Sequence, residues 1–335
     1  MRTFKVLVLT DHSGHSKSNS FYGVVNALRV HKNIEKIDVA SKGIDLNASF
    51  FSGTDLSKVF VNHLEKGIRY SKGGNFFQGE KKWTSPAHYD VIVLRLPPPI
   101  EEPFFHKLKK YFPQILFIND PEGIIHTYSK SFLLNFRSIC PPFELVSSKK
   151  EILKVLEKYP IVLKPLKSYG GKGIVRIKDN SVEIGQEKLS LEDFWDSYQN
   201  ETYLAVKFLE NVRLGDKRIV VVNGHVIGAS LRTPPADSWI CNAAMGGSAH
   251  PAFLEQEELE IIEQINPLLE KHGIVMYGVD TLVGDSGKRV LSEINTASIG
   301  GIVQMAKMYG KSTMLKTINN LVEYVLNKKY GISKV

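Results

Sequence analysis

A chain of 335 residues is too long for one ordinary hydrophobic core and fits two or three packed subdomains. Its 43% apolar and 23% charged residues are those of a globular protein, and no apolar run approaches the roughly 18 residues of a membrane span. The net charge of +8 invites a nucleic-acid partner, but the lysines are scattered along helical segments such as Lys107-Lys109-Lys110, which argues for solvated faces instead.

The two cysteines, Cys140 and Cys241, form neither a disulfide framework nor a metal-binding spacing. They read as small packing residues of a cytoplasmic protein. Phe4 to Leu9 reads as a buried first strand rather than a secretory signal, because it runs into Asp11-His12-Ser13 without a small-residue cleavage site. A polar loop from Thr10 to Ser20 and a helix over Phe21 to Val30 follow. Strand, loop and helix in that order begin an open α/β sheet, whose loops at the carboxyl ends of strands are where ligands bind. His12 and His15 read as members of a hydrophilic loop rather than as metal ligands. Residues 41–85 lack clear periodicity, with a helix expected near Leu56 to Lys66.

Residues 90–96 form the next buried strand, cut by Pro97-Pro98-Pro99. Arg95 inside it needs an anionic partner, either a substrate carboxylate or a structural ion pair. Ile115 to Asn119 is a further strand that completes an N-terminal α/β unit. A helical segment opens at Lys130, followed by a strand over Phe143 to Val146 and a helix over Lys149 to Tyr159. Ile161 to Pro165, Leu166 to Gly173 and Ile174 to Ile177 then read as strand, glycine loop and strand. Gly170, Gly171 and Gly173 let backbone N–H groups approach an anion, and Lys164, Lys167 and Lys172 add positive charge. A flap over phosphates and an ordinary flexible hairpin loop both fit that pattern.

A partly disordered linker is expected around Asp179 to Glu187, then a strand over Thr202 to Leu209. Asn223-Gly224 is a hairpin turn between Ile219–Val222 and His225–Leu231. A loop from Arg232 to Ser248 precedes an amphipathic helix over Glu255 to Lys271. Two decoys fall away. Gly310-Lys311-Ser312 has Met305 where a phosphate loop needs its first glycine, and Gly171-x-Gly173 lacks the third glycine of a dinucleotide loop.

Met276 to Ser298 is the most informative stretch. It reads as two strands joined by turn chemistry at Asp285-Ser286-Gly287-Lys288. A two-residue turn at Ser286-Gly287 sets Asp280 opposite Glu293, with Cβ atoms ~5 Å apart. Side-chain alternation puts Asn295 on the same face as Glu293. Opposed like charges repel, so a cation belongs between them, and hard oxygen ligands without His or Cys suit Mg²⁺ or Mn²⁺. The alternative is a solvent-facing hairpin edge. Helices over Ile302 to Tyr309 and Thr313 to Tyr330 end the chain.

The order of these parts, over nearly the whole chain, resembles the ATP-grasp superfamily, and specifically bacterial glutathione synthetase. The matching stretches are residues 90–95 with the prolines after them, 162–165 with Gly170-Gly171, 215–224, 242–247, 277–280 and 292–295. The resemblance implies an α/β fold: an N-terminal open α/β domain over residues 1–126, a central ATP-grasp lobe over 127–205 and a C-terminal ATP-grasp lobe over 206–335. ATP would lie between the two lobes.

By the same resemblance, Lys130 and Lys164 would contact the ATP phosphates, Gly170 and Gly171 would form the flap, and Lys207, Phe208 and Leu209 the adenine hinge. Asp216 would bind the ribose, while Asp280, Glu293 and Asn295 would hold Mg²⁺ or Mn²⁺. Arg218 and Arg232 would stabilise the acyl-phosphate and the tetrahedral species formed from it. Arg95, Asn242, Gly246, Gly247 and Ser298 would lie at the substrates, a γ-glutamylcysteine-like carboxylate and a glycine-like amine. A homo-oligomer with no nucleic-acid or membrane partner is also implied. Four departures bear on the substrates: Leu96 where a lysine is expected, Ile240 where the family has an arginine, Ile299-Gly300-Gly301 after Ser298, and a segment between Gly224 and Arg232 one residue short.

Overall fold

The computed structural model describes residues 2–185, 187–198, 201–235, 238–241 and 248–332. Its strands are β1 (Phe4–Thr10), β2 (Ile34–Ser41), β3 (Val59–His63), β4 (Lys82–Thr84), β5 (Val91–Arg95), β6 (Leu116–Ile118), β7 (Phe143–Val146), β8 (Ile161–Pro165) and β9 (Val175–Lys178). They continue with β10 (Ser181–Ile184), β11 (Glu187–Ser190), β12 (Tyr203–Lys207), β13 (Asp216–Val222), β14 (His225–Thr233), β15 (Ser248–Ala252), β16 (Met276–Val283) and β17 (Arg289–Asn295). These strands make three sheets, ordered β4-β3-β2-β1-β5-β6, β11-β10-β9-β8-β12-β7 and β15-β14-β13-β16-β17.

The first sheet is parallel from β2 through β1 and β5 to β6, with β3 and β4 added antiparallel at one edge. Its central strands are apolar on both faces, as parallel strands covered by helices must be. The other two sheets are antiparallel throughout. The first and third sheets share their cores. Leu7, Leu9 and Ile92 pack in one cluster with Ile219, Tyr277 and Leu291, and Val6, Val8 and Phe21 in another with Val220, Met276 and Ile302. The second sheet has a small core of its own, around Ile152, Leu163, Ile177 and Ala205.

Three expectations are corrected. Leu56 to Lys66 holds β3, not a helix, because Val59 and Val61 alternate inward against the first sheet while the chain pairs with both β2 and β4. Asp179 to Glu187 is no linker. It carries β10, and Val182 in it is fully buried in the core of the second sheet. The β16–β17 connection is not a two-residue turn at Ser286-Gly287. Gly284 N–H donates to Lys288 O at 2.8 Å around three residues ending in Gly287, whose φ of +81° is the left-handed conformation that closes such a loop.

Candidate active site

The cleft between the second and third sheets collects most of the residues singled out from the sequence. It has about 810 Å³ of space including its open mouth, and Lys164, Gly171, Lys207, Phe208, Leu209, Asp216, Arg232, Asp280 and Glu293 are among its walls. Its two ends differ in chemistry. Val162, Phe208, Val212 and Cys241, with Ile174, Trp239 and Leu282 against them, make an apolar end. Lys164, Arg232, Asp280 and Glu293 make a charged one. An apolar slot beside a charged pocket suits an amphipathic ligand with a flat hydrophobic head and an anionic tail.

Strand pairing sets the charged end. Asp216 faces Arg232 across β13–β14, Arg218 faces Asp280 across β13–β16, and Asp280 faces Glu293 across β16–β17. Arg232 donates to Asp216 from Nε and Nη2, both at 2.6 Å, and its Nη2 also lies 3.1 Å from Asp280 Oδ2. Arg218 grips Asp280 through Nε and, at 2.7 Å, through Nη2. Burial alone would raise the Asp280 pKa, yet the Arg218 and Arg232 guanidiniums outweigh it and hold the carboxyl well below the usual carboxylate range. Asp216 moves the other way, because burial and the neighbouring Asp280 charge together exceed the pull of Arg232.

Lys164 donates to Ser292 Oγ at 3.2 Å, and burial lowers its pKa from the ordinary lysine value. Lys130, on the 3-10 segment Lys130–Ile139, is buried 3.5 Å from Glu293 Oε1 and donates to Ser168 O of the glycine loop at 2.5 Å. Asn295 donates to Asp280 Oδ2 at 3.3 Å. Two carboxylates and an amide thus converge from neighbouring strands, with four cationic side chains around them and no His or Cys in the set. That donor set fits a hard divalent cation.

The pairing of Asp280 with Glu293 is as read from the sequence, but a different geometry produces it. Near the turn, Thr281 faces Leu291 and Val283 faces Arg289; beyond it, Asp280 faces Glu293 and Gly278 faces Asn295. Ser292 is therefore a β-bulge residue without an opposite number, and its hydroxyl is the one that meets Lys164.

Other expected residues are not among the described walls of the cleft. Arg95 is buried, donates from Nη2 to Ile299 O at 2.8 Å and faces Met276 Sδ at 3.8 Å, while burial lowers its pKa to about 10. Among the described residues no carboxylate offsets that burial. Ser298 lies three residues past Asn295 with a φ of +40°. Lys167 turns from the glycine loop to Glu102, at 2.6 Å. Asn242, Gly246 and Gly247 lie outside the described residues.

Ile240, a departure that bears on the substrates, lines the cleft together with its neighbours Trp239 and Cys241, to which the sequence assigns no role there beyond packing. They belong to no strand or helix and carry no periodic signal, and Trp239 meets Phe208 edge-on with the Arg176 guanidinium over both rings. Cys241 is a free thiol whose pKa burial pushes up to about 11, and Cys140 rises for the same reason to about 12. Both behave as packing residues.

Known proteins resemble this chain in sequence and in fold. Residues 129–310 match the family model described as prokaryotic glutathione synthetase, ATP-grasp domain. The glutathione synthetase of Bradyrhizobium diazoefficiens is 32% identical over 253 residues, covering 74% of this chain and 78% of that protein. That of Agrobacterium fabrum is 31% identical over 257 residues, covering 76% and 78%. Among solved structures, D-cycloserine synthetase DcsG superposes with a TM-score of 0.65 at 10% identity over 96% of this chain and 99% of that one. D-alanine–D-alanine ligase from Bacillus anthracis, complexed with ATP, does so with 0.57 at 14% identity over 97% and 100%. These two likenesses establish the ATP-grasp fold, and the sequence relatives go further: the chain belongs to the prokaryotic glutathione synthetase family of ATP-grasp ligases.

Proposed function

We propose that the protein is an ATP-dependent carboxylate–amine ligase that joins γ-glutamylcysteine to glycine, forming glutathione, ADP and phosphate. The observation that carries this reading is the two-ended cleft in a chain of this family. The nucleobase takes the apolar end, against Val162, Phe208 and Leu282, with Lys207, Phe208 and Leu209 as the hinge. Asp216 takes the ribose, and the phosphates point toward Lys164, Lys130 and Arg232 beneath the Gly170-Gly171 flap.

A carboxylate is a poor electrophile with no usable leaving group. Its oxygen attacks the γ-phosphorus and ADP departs, leaving an acyl-phosphate. The glycine amine then adds to the acyl carbon, phosphate leaves, and the amine loses its proton. Arg218 and Arg232 sit where negative charge builds in both steps, and preorganised cations of this kind carry most of the catalysis in phosphoryl transfer. Asp280, Glu293 and Asn295 would hold Mg²⁺ or Mn²⁺, which supplies charge neutralisation on the nucleotide phosphates. Arg95, Ser298 and the Asn242–Gly247 loop serve the acid and amine substrates. The domain limits of 1–126, 127–205 and 206–335, a homo-oligomeric state and a cytoplasmic setting belong to the same reading; of membranes, no helix of the described residues is long and apolar enough to cross one.

The test is ADP formation with Mg-ATP and γ-glutamylcysteine, with and without glycine, and product mass. Glycine-dependent ADP release with tripeptide is the expected result. Ile240 lines the cleft where the family resemblance places an arginine, which favours one second reading, a ligase of this family for another acid–amine pair. Turnover on such a pair, with none on γ-glutamylcysteine and glycine, would replace the first reading by the second.

A further inference from the structure

The bulge at Ser292 poses a question of register. Continued straight from the turn, the pairing of Thr281 with Leu291 would bring Ser292 opposite Asp280 and send Glu293 to the other face, since a one-residue slip reverses every side chain of a strand. The turn therefore does not place Glu293. The shift has to be held at the open end of the hairpin, where the ladder stops at Gly278 and Asn295.

Asn119, just past β6 in the first sheet, lies at that end. Its Oδ1 accepts from Val275 N–H and Met276 N–H, both at 2.8 Å. Its Nδ2 donates to Met276 O and to Thr296 O, both at 2.7 Å. A side-chain amide offers two donor hydrogens and two acceptor lone pairs, and all four are used. The residue is 5% exposed, so each bond is made where water does not compete. It bridges the entry to β16 and the exit from β17, one residue beyond Asn295, as a side-chain rung where the backbone rungs have ended. Thr127 reinforces the same point by donating from Oγ1 to Thr296 Oγ1 at 2.9 Å.

We propose that Asn119 is a positioning residue for the metal-binding hairpin: by tying Met276 to Thr296 it holds the bulged register in which Glu293 and Asn295, rather than Ser292 and Ile294, share a face with Asp280. The inference rests on the reading of Asp280, Glu293 and Asn295 as the cation site. The Asn119 amide is wholly engaged by backbone groups and is not a wall of the cleft, so its effect appears in the coupling of metal to nucleotide and not in nucleotide binding itself.

The experiment measures the affinity of a non-hydrolysable ATP analogue with and without Mn²⁺, for the wild type and for Asn119→Ala, Asn119→Asp and Asp280→Asn, with thermal melts of each. Mn²⁺ tightens binding in the wild type, and Asn119→Ala cuts that enhancement about tenfold while metal-free affinity stays within about twofold, the scale on which supports behind metal ligands act. Asn119→Asp keeps the bonds from Val275 and Met276 but cannot donate to Thr296, so it loses enhancement too and serves should the alanine variant not fold. Wild-type enhancement in a folded Asn119 variant overturns the proposal, as does an equal loss with and without metal, which marks a merely structural role. Asp280→Asn separates the two claims: if it keeps the full enhancement, the metal reading itself is wrong, whatever the Asn119 variants do.

Discussion

Two of the hairpins that reach the cleft are built in opposite ways. The β8–β9 hairpin ends in the loop Leu166–Ile174, where Gly170 has a φ of +68° and a side chain added there would meet nothing within 4 Å. It projects from the sheet that keeps a small core to itself. The β16–β17 hairpin lies between β13 and the shared cores, with Tyr277, Val279 and Leu291 fully buried and Asn119 across its base. One loop has open space around its glycine, while the other hairpin holds charges against a buried core. Local stability follows buried contacts, so opening motions belong to the first and global unfolding to the second.

Asp280 is where the largest break is expected. Asp280→Ala leaves Arg218 and Arg232 buried without their shared carboxylate, and breaking a buried pair from one side costs about 3–5 kcal/mol. Ligase turnover should fall on the order of 10³-fold with the loss of a preorganised charged group. Denaturant unfolding and product assays read the two separately. Because the folded Asp280 pKa is depressed, its stabilisation is complete above the ordinary carboxylate pKa and is lost as pH falls through the folded value. Asp280→Asn should therefore show a flatter loss of stability in acid than the wild type. An unchanged acid limb would mean that this cluster does not set it.

The contrast also explains what could be read in advance. Asp280, Glu293 and Asn295 were legible because period-two alternation in β-branched, apolar strands is a strong local signal. The bulge was not, since nothing in the residues around Ser292 distinguishes it from a regular strand position. The expected turn erred by one residue and the bulge shifted the strand by one, so the pairing agreed although the path to it differed. β3 and β10 were missed for another reason. Short strands take their conformation from their partners, and Val182 is strand-like because it lies opposite Ile177 on one side and Leu189 on the other. The walls from Trp239 to Cys241 belong to no strand or helix, so no periodicity points to them.

A matched pair of substitutions sharpens the comparison at intermediate size. Gly170 and Gly287 both have left-handed φ and open space around the missing Cβ, so alanine costs each about 1–2 kcal/mol of backbone strain. The strain is equal, but its destination differs. In Gly287→Ala it should lower global stability, because that loop closes a core hairpin, with the KM for ATP nearly unchanged. In Gly170→Ala it should raise the KM for ATP several-fold and leave the denaturation midpoint close to wild type. Equal shifts in both midpoints would show that the glycine loop unfolds with the core and would erase the distinction.

The smallest effect expected is at the tip of the buried hairpin. Lys207 at the end of β12 reaches Asp285 Oδ2 at 2.5 Å, joining the wall of the cleft to the turn of the β16–β17 hairpin. Asp285 is largely exposed, and pairs of that kind contribute about 0.2–1 kcal/mol. If Asn119 at the open end fixes the register, the turn end needs no such tie. Asp285→Ala should then shift stability by less than about 1 kcal/mol, leave the Mn²⁺ enhancement of nucleotide binding intact and lose its small effect in high salt. A loss of enhancement in this variant would move the register control from the base of the hairpin to its turn.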